Sequence, residues 1–183
     1  MVWKRPEYAG GSANMTHVDM GTLRWLDSLG CKSLLDVGCS TGGQVANALE
    51  LGWGAFGIEV DDRVISEEVP NCALIDLAQN PVIFHQPFDV VWSVEVAEHI
   101  PEEFADKFVD TLVGNCGRYV IMTASNVVVH YHVNPQELDY WIEKMVNAGM
   151  KESSELKEGV LAHSTMMREF LRVNGLFFEK ASC

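Results

Sequence analysis

Basic side chains are scarce in this sequence: 13 lysines and arginines face 26 aspartates and glutamates, a net charge of −13 over 183 residues. A field of that sign repels phosphate backbones and anionic lipid, so neither nucleic acid nor membrane is an expected partner. No uninterrupted apolar run approaches the ~18 residues of a spanning helix. The opening MVWKRPEYAGG carries two cations but no apolar leader core, which makes a cytoplasmic protein the expectation. Cysteine occurs five times, at 31, 39, 72, 116 and 183, and never as a CxxC pair. That spacing argues against a zinc ribbon or a disulfide framework and fits buried or inert thiols in a reducing compartment. Repeats, low-complexity tracts and Pro/Gly/Ser linkers are missing. So is GxGxxG, the loop that seats a dinucleotide pyrophosphate on a helix N-terminus.

What is present is an ordinary apolar fraction of 48% with 21% charged residues, enough for one self-sufficient domain. Strand and helix signals alternate. Met20, Leu23, Leu26 and Leu29 recur at helical spacing within 18–29, and Gly30 stops them. Then follow a strand over 33–37, a helix over 44–51, a strand over 55–58, a short helix near 61–68 and strands near 73–75 and 88–93. A helix over 102–113 opened by Pro101 leads to a strand over 118–123. The last third reads as a helix over 136–148, a strand around 150–156, a helix over 164–173 and a strand over 175–179 entered through Asn174-Gly175. Continuous apolar strands separated by helices indicate a parallel sheet covered on both faces, a doubly wound α/β domain. Residues 1–30 form an N-terminal segment with a cap helix, and 31–183 the domain proper.

Residues 33–43, SLLDVGCSTGG, run an apolar strand into one carboxylate and then place Gly38, Gly42 and Gly43 within six positions. Glycine at that density costs backbone entropy and marks a close approach of a ligand to the main chain. In a doubly wound sheet the first strand-to-helix turn is the usual cradle. Asp36 stands where it accepts from an ammonium or organises the loop.

Asp36-x-Gly38-x-Ser40-x-Gly42, followed by Glu59 at the end of the second strand, resembles the first motif of the class I S-adenosylmethionine-dependent methyltransferases. That motif reads acid-x-Gly-x-Gly-x-Gly; Ser40 replaces its middle glycine. FDVVWSVEVAEHIP, residues 88–101, is similar to the motif after the adenine site in ubiquinone-pathway-like and type 11/23 members, and NGLFFEK fits their antiparallel last strand. The likeness covers roughly residues 31–181. It implies a Rossmann-like sheet of seven strands in the order 3-2-1-4-5-7-6 and S-adenosyl-L-methionine as cofactor. It places Asp36, Gly38, Cys39, Ser40 and Gly42 around the loop, Glu59 on the ribose hydroxyls and Val60 against adenine. Asp76 and Leu77 would read the adenine amino group and ring, and Ser93 and Glu95, from the fourth-strand segment, would complete the cofactor-binding set. Acids at three successive strand ends, with no lysine or arginine positioned among them, suit a sulfonium nucleoside that carries no phosphate.

Methyl transfer asks mainly for positioning and desolvation, plus a base where the acceptor is an alcohol or amine. A short turn brings Glu95, Glu98 and His99 to one face, and His130 and His132 lie two apart after the fifth strand. Glu98, His99 and His132 stand as the catalytic candidates. The same residues resemble the metal set of small-RNA 3′-terminal 2′-O-methyltransferases and of ubiquinone-pathway O-methyltransferases. No resident metal is expected; if one binds, Glu95, Glu98, His99 and His132 form the set that would hold it. Tyr131, Tyr140 and Trp141 are candidates for the acceptor wall, with Trp141 in a pattern that more often means core.

The expected acceptor is an oxygen or nitrogen of a small molecule, or an exposed group of a larger one. It would be recognised by the first 30 residues, the 125–135 loop and the segment before the last strand, and a homodimer would complete a pocket left open by so short a lid. The alternatives are metal-assisted 2′-O-methylation of an RNA end, disfavoured by the acidic surface, and a domain that binds the cofactor without turnover. A nucleotide-dependent oxidoreductase ranks behind both because the pyrophosphate loop is missing.

Overall fold

Seven apolar segments pair into one sheet in the computed structural model, which describes residues 4–9, 15–65 and 71–181. They are β1 (Ser33–Val37), β2 (Gly54–Glu59), β3 (Cys72–Leu74), β4 (Phe88–Ser93), β5 (Cys116–Thr123), β6 (Met150–Glu152) and β7 (Gly175–Lys180). Their order is β3-β2-β1-β4-β5-β7-β6. The first five strands run parallel, and β7 lies antiparallel between β5 and β6. The doubly wound α/β sheet with a reversed last strand is the one the sequence implies.

Successive side chains of a strand face opposite ways, and both faces of this sheet are covered. Leu35, Val91, Val120, Met122 and Phe178 pack against α3 (Ala105–Asn115) and α4 (Leu138–Asn147), where Phe108, Leu112 and Trp141 are fully buried. Leu34, Val90, Ile121 and Phe177 face the other way, against α1 (Met20–Ser28), α2 (Gly43–Glu50) and α5 (Ser154–His163). Two cores, one per face, explain why the strands read as unbroken apolar runs. Cys31, Cys39 and Cys116 are buried free thiols and Cys72 is partly buried. Among the described residues no helix is long and apolar enough to cross a membrane.

The last third differs from expectation in two places. The strand begun at Met150 ends at Glu152, because the Ser153 hydroxyl accepts the Leu156 N–H at 3.3 Å and caps α5 instead. That helix seats Gly159 directly on Trp25, where a Cβ would come within 1.9 Å of the indole. The helix expected over 164–173 shrinks to α6 (Phe170–Val173). Ser164 Oγ and the Thr165 N–H both donate to the buried Asp19 carboxylate, and those bonds hold 164–169 out of helical form. The helix after Pro101 starts as a 3₁₀ turn, Glu102–Phe104, before α3 takes over. Of the short helix expected near 61–68, residues 62–64 form a turn and 66–68 lie outside the described residues.

Candidate functional site

Strand order reverses between β1 and β4, and their carboxyl ends open a cavity of about 360 Å³, a size typical of small-molecule sites. Gly38 and Ser40 after β1, Glu59, Val60 and Asp61 at the end of β2, and Ile75 and Leu77 beyond β3 form one side. Glu95, Val96 and His99 after β4 and Val129, His130 and His132 after β5 form the other. Tyr8, Met15, Thr16 and His17 of the N-terminal segment, with Arg168 and Phe170 ahead of β7, close over it.

The turn after β1 is held by tight packing and by one carboxylate. Gly38 has φ +81°, and a Cβ there would lie 2.3 Å from Val96 Cγ2. Ser40, at the position where the resembling motif has glycine, keeps a left-handed φ of +48°. Glu95, which also lines the cavity, shares that costly backbone conformation at φ +58°, as does Tyr131 at φ +70°, although Tyr131, expected in the acceptor wall, is not among the cavity-lining residues. The Glu59 carboxylate accepts the N–H groups of Ser40 and Val60 at 2.7 Å each and of Asp61 at 3.0 Å. Burial raises its pKa, and those amides oppose the rise. Oε2 takes only the Ser40 amide and retains an acceptor position, while the Ser40 hydroxyl is buried without a partner.

Other expected residues lie behind the cavity surface. Asp36 is buried within β1, its carboxyl pushed well above the ordinary value by burial and then by Cys72 and Glu59. Cys39 and Gly42 carry the turn without lining the cavity, and Ser93 Oγ donates to the Val37 carbonyl at 3.0 Å as a strut between β4 and β1. Asp76 accepts the Tyr8 hydroxyl, the Ala78 N–H at 2.9 Å and the Gln79 amide at 3.2 Å, so it clasps the N-terminal segment. The Asp76 bond and burial, burial more strongly, raise the Tyr8 phenol. Trp141 is core and Tyr140 packs edge-on against it; neither reaches the cavity.

Glu98, His99 and His132 come together: one ligating atom from each lies within 4.8 Å of the others. His99 Nδ1 donates to the Tyr131 carbonyl at 2.9 Å and His132 Nδ1 to that of Val127 at 2.7 Å, and the two rings meet edge to face at 4.9 Å. Burial lowers the His99 pKa, an effect the Tyr131 carbonyl opposes and His132 reinforces. Glu98 is fully buried and neither carboxyl oxygen has a hydrogen-bond partner. Burial, and then the Glu95 charge, push it up to about 8, while the amides of Glu98 and Ser125 oppose this without reaching bonding geometry. Glu95 stands apart from the trio and accepts the Thr123 hydroxyl at 2.9 Å. Burial raises it, against the pull of Thr123 and His132.

Several cavity residues escaped the sequence reading. Asp61 is buried beside Glu59, and its bonds to Arg63 hold it below the usual carboxylate range. The expected absence of a positioned cation is corrected by Arg168, which lines the cavity near His17; burial and then Arg168 lower the His17 pKa. Asp61 was legible as a second acid after β2. Arg168 sits more than a hundred residues from the glycine turn, on a segment that the Asp19 carboxylate helps hold near the cavity.

No family model matches the chain, and no curated protein matches it in sequence. Its fold matches solved structures. A TehB-like SAM-dependent methyltransferase from Corynebacterium glutamicum aligns over 88% of each chain at 15% identity with a TM-score of 0.65. The sugar N-methyltransferase KedS8 from a Streptoalloteichus species aligns over 88% of this chain and 87% of its own at 10% identity, TM-score 0.64. The magnesium protoporphyrin IX methyltransferase from Synechocystis, with bound SAM, aligns over 87% and 76% at 18% identity, TM-score 0.59. At such identities the likeness is one of fold.

Proposed function

We propose that this protein is an S-adenosylmethionine-dependent methyltransferase acting on an oxygen or nitrogen of a small acceptor. The observation that carries the reading is the cavity at the β1/β4 reversal, which presents Glu59 and Asp61 beside a glycine turn that has no cation. A pyrophosphate would meet carboxylates there; a ribose would meet acceptors for its hydroxyls. Val60, Ile75 and Leu77 offer apolar surface for a purine, and Arg168 a counter-charge for an amino-acid carboxylate. Proteins of the same fold act on acceptors as different as a porphyrin and a sugar, consistent with an acceptor chosen by loops and lid rather than by the sheet.

S-adenosylmethionine, held by Glu59, Val60, Leu77 and Arg168, would supply a methyl carbon open to in-line displacement by the acceptor lone pair, with the sulfonium sulfur departing as a neutral thioether. This chain's part is to align the partners and exclude water. His99, held neutral by burial with Nδ1–H on the Tyr131 carbonyl, keeps Nε2 free to accept the acceptor's proton. Calorimetry with S-adenosylmethionine and its demethylated product should register binding to the parent, with a loss of at least about tenfold in Arg168→Ala. Folded protein that gives no heat with either nucleoside, or that prefers NAD, overturns the reading.

A further inference from the structure

We propose that Cys39, in the glycine turn, and Cys72, at the start of β3, form a reversible modification site at which a hydroperoxide joins the two thiols as a disulfide. Gly57 locates the pair. A Cβ there would lie 2.7 Å from Cys39 Sγ and 2.9 Å from Cys72 Sγ, so both sulfurs converge on the space this glycine leaves empty. Glycine inside a strand weakens it and marks a close approach of other groups; here those groups are two thiols. The sheet dictates their meeting. Gly57 is paired with Cys72 in the register of β2 and β3, and the Cys39 N–H donates at 3.1 Å to the carbonyl of Ile58, the next residue of β2. Cys39 and Cys72 are both free in the structure.

The two thiols are unequal. Cys39 is 1% exposed, whereas Cys72 is only partly buried. The bond between them, and then burial, raises Cys39; the same bond lowers Cys72, against burial and the Glu59 charge. Cys72 is therefore the attacking thiolate and Cys39 the resolving thiol. The Cys72 thiolate attacks the outer oxygen of the hydroperoxide, the O–O bond breaks, and the departing oxygen takes up a proton and leaves as alcohol or water. Cys72 is oxidised to a sulfenic acid. The Cys39 sulfur then attacks that sulfur, the S–O bond breaks, and the Cys39 proton leaves with the hydroxyl as water. A thiol reductant reverses the bond by exchange. Cys39 stands between Gly38, at φ +81°, and Ser40, whose N–H reaches Glu59 at 2.7 Å, and its own carbonyl accepts the Gly42 N–H at 2.8 Å. Drawing its sulfur onto Cys72 disturbs those contacts. On the methyltransferase reading, on which this last step alone rests, the oxidised protein binds its nucleoside more weakly.

The test treats the reduced full chain with hydrogen peroxide, digests it with trypsin without reductant and maps the linkages by mass spectrometry. Cleavage at Arg63 puts Cys39 and Cys72 on different peptides unless a disulfide joins them. A linked 39–72 pair is expected, released by dithiothreitol, with Cys31 and Cys116 still reduced. In Cys39→Ser, Cys72 should stop at the sulfenic acid and be trapped by dimedone. The map of the parent needs no variant, so it decides the site even where Cys39→Ser misfolds. Peroxide that leaves both thiols free, or that joins either to Cys31 or Cys116 instead, overturns the proposal. By calorimetry the oxidised parent should bind S-adenosylmethionine at least about fivefold more weakly than the reduced one, and Cys72→Ser should bind equally before and after peroxide. A 39–72 linkage with unchanged affinity overturns the coupling to the cavity. A 39–72 linkage with no nucleoside heat in either redox state upholds the modification site and sinks only the methyltransferase reading.

Discussion

The Glu59 carboxylate at the end of β2 accepts the Ser40 N–H at 2.7 Å and so ties the turn after β1 to the neighbouring strand end. One side chain thereby both shapes the glycine turn and lines the cavity.

Glu59→Ala therefore leaves the amides of Ser40, Val60 and Asp61 without their acceptor. We expect a loss of about 1–3 kcal/mol in urea unfolding, together with loss of nucleoside binding by calorimetry. Glu59→Gln, which keeps one acceptor oxygen, should fall between. An alanine variant as stable as the parent would show that the carboxylate does not hold the turn.

Gly38→Ala meets two separate obstacles, the left-handed φ of +81° and Val96 Cγ2 at 2.3 Å. The backbone alone costs about 1–2 kcal/mol. Adding Val96→Ala should remove the steric part but not the backbone part, giving a favourable coupling in a double-mutant cycle of thermal melts. Strictly additive effects would mean that the turn moves away from Val96.

Asp36 sets a pH dependence. Its folded carboxyl titrates well above the ordinary 3.8 because of burial, so the unfolded chain gives up this proton first. The contribution is fully present below pH about 4 and declines as pH rises toward the folded value. Asp36→Asn should melt like the parent in acid and increasingly above it between pH about 5 and 8. A melting difference that stays flat or shrinks as pH rises refutes the assignment.

Asp19 couples the lid to the sheet. It accepts from Thr22, Ser164 and Thr165 while caping α1, all in a buried setting. Asp19→Ala should cost about 2–4 kcal/mol by chemical denaturation. It should also weaken ligand binding, because the freed segment carries Arg168. Binding unchanged in the folded variant would show that Arg168 does not depend on this clasp.

The parts of the fold that were legible are those where pattern and environment agree. β1 and β4 have the bounds expected from their apolar runs, since both are central and buried on two faces. α5 was missed because Leu156 and Val160 are its only buried residues among many charged ones, too narrow a stripe to show a helical period. Residues 164–169 misled for the opposite reason: their helical signal is overruled by the Asp19 carboxylate from the far end of the chain.

Local chemistry alone determined the glycine turn, the acids at the carboxyl ends of β1, β2 and β3, and the parallel sheet, because spacing, propensity and alternation act over a few residues. Tertiary structure alone decided which of those acids reach the cavity, that Ser40 adopts the backbone of a glycine, that Arg168 joins the lining, and that Glu98, His99 and His132 converge. These depend on the meeting of segments distant along the chain, where burial and orientation of each group are set by neighbours that no local pattern names.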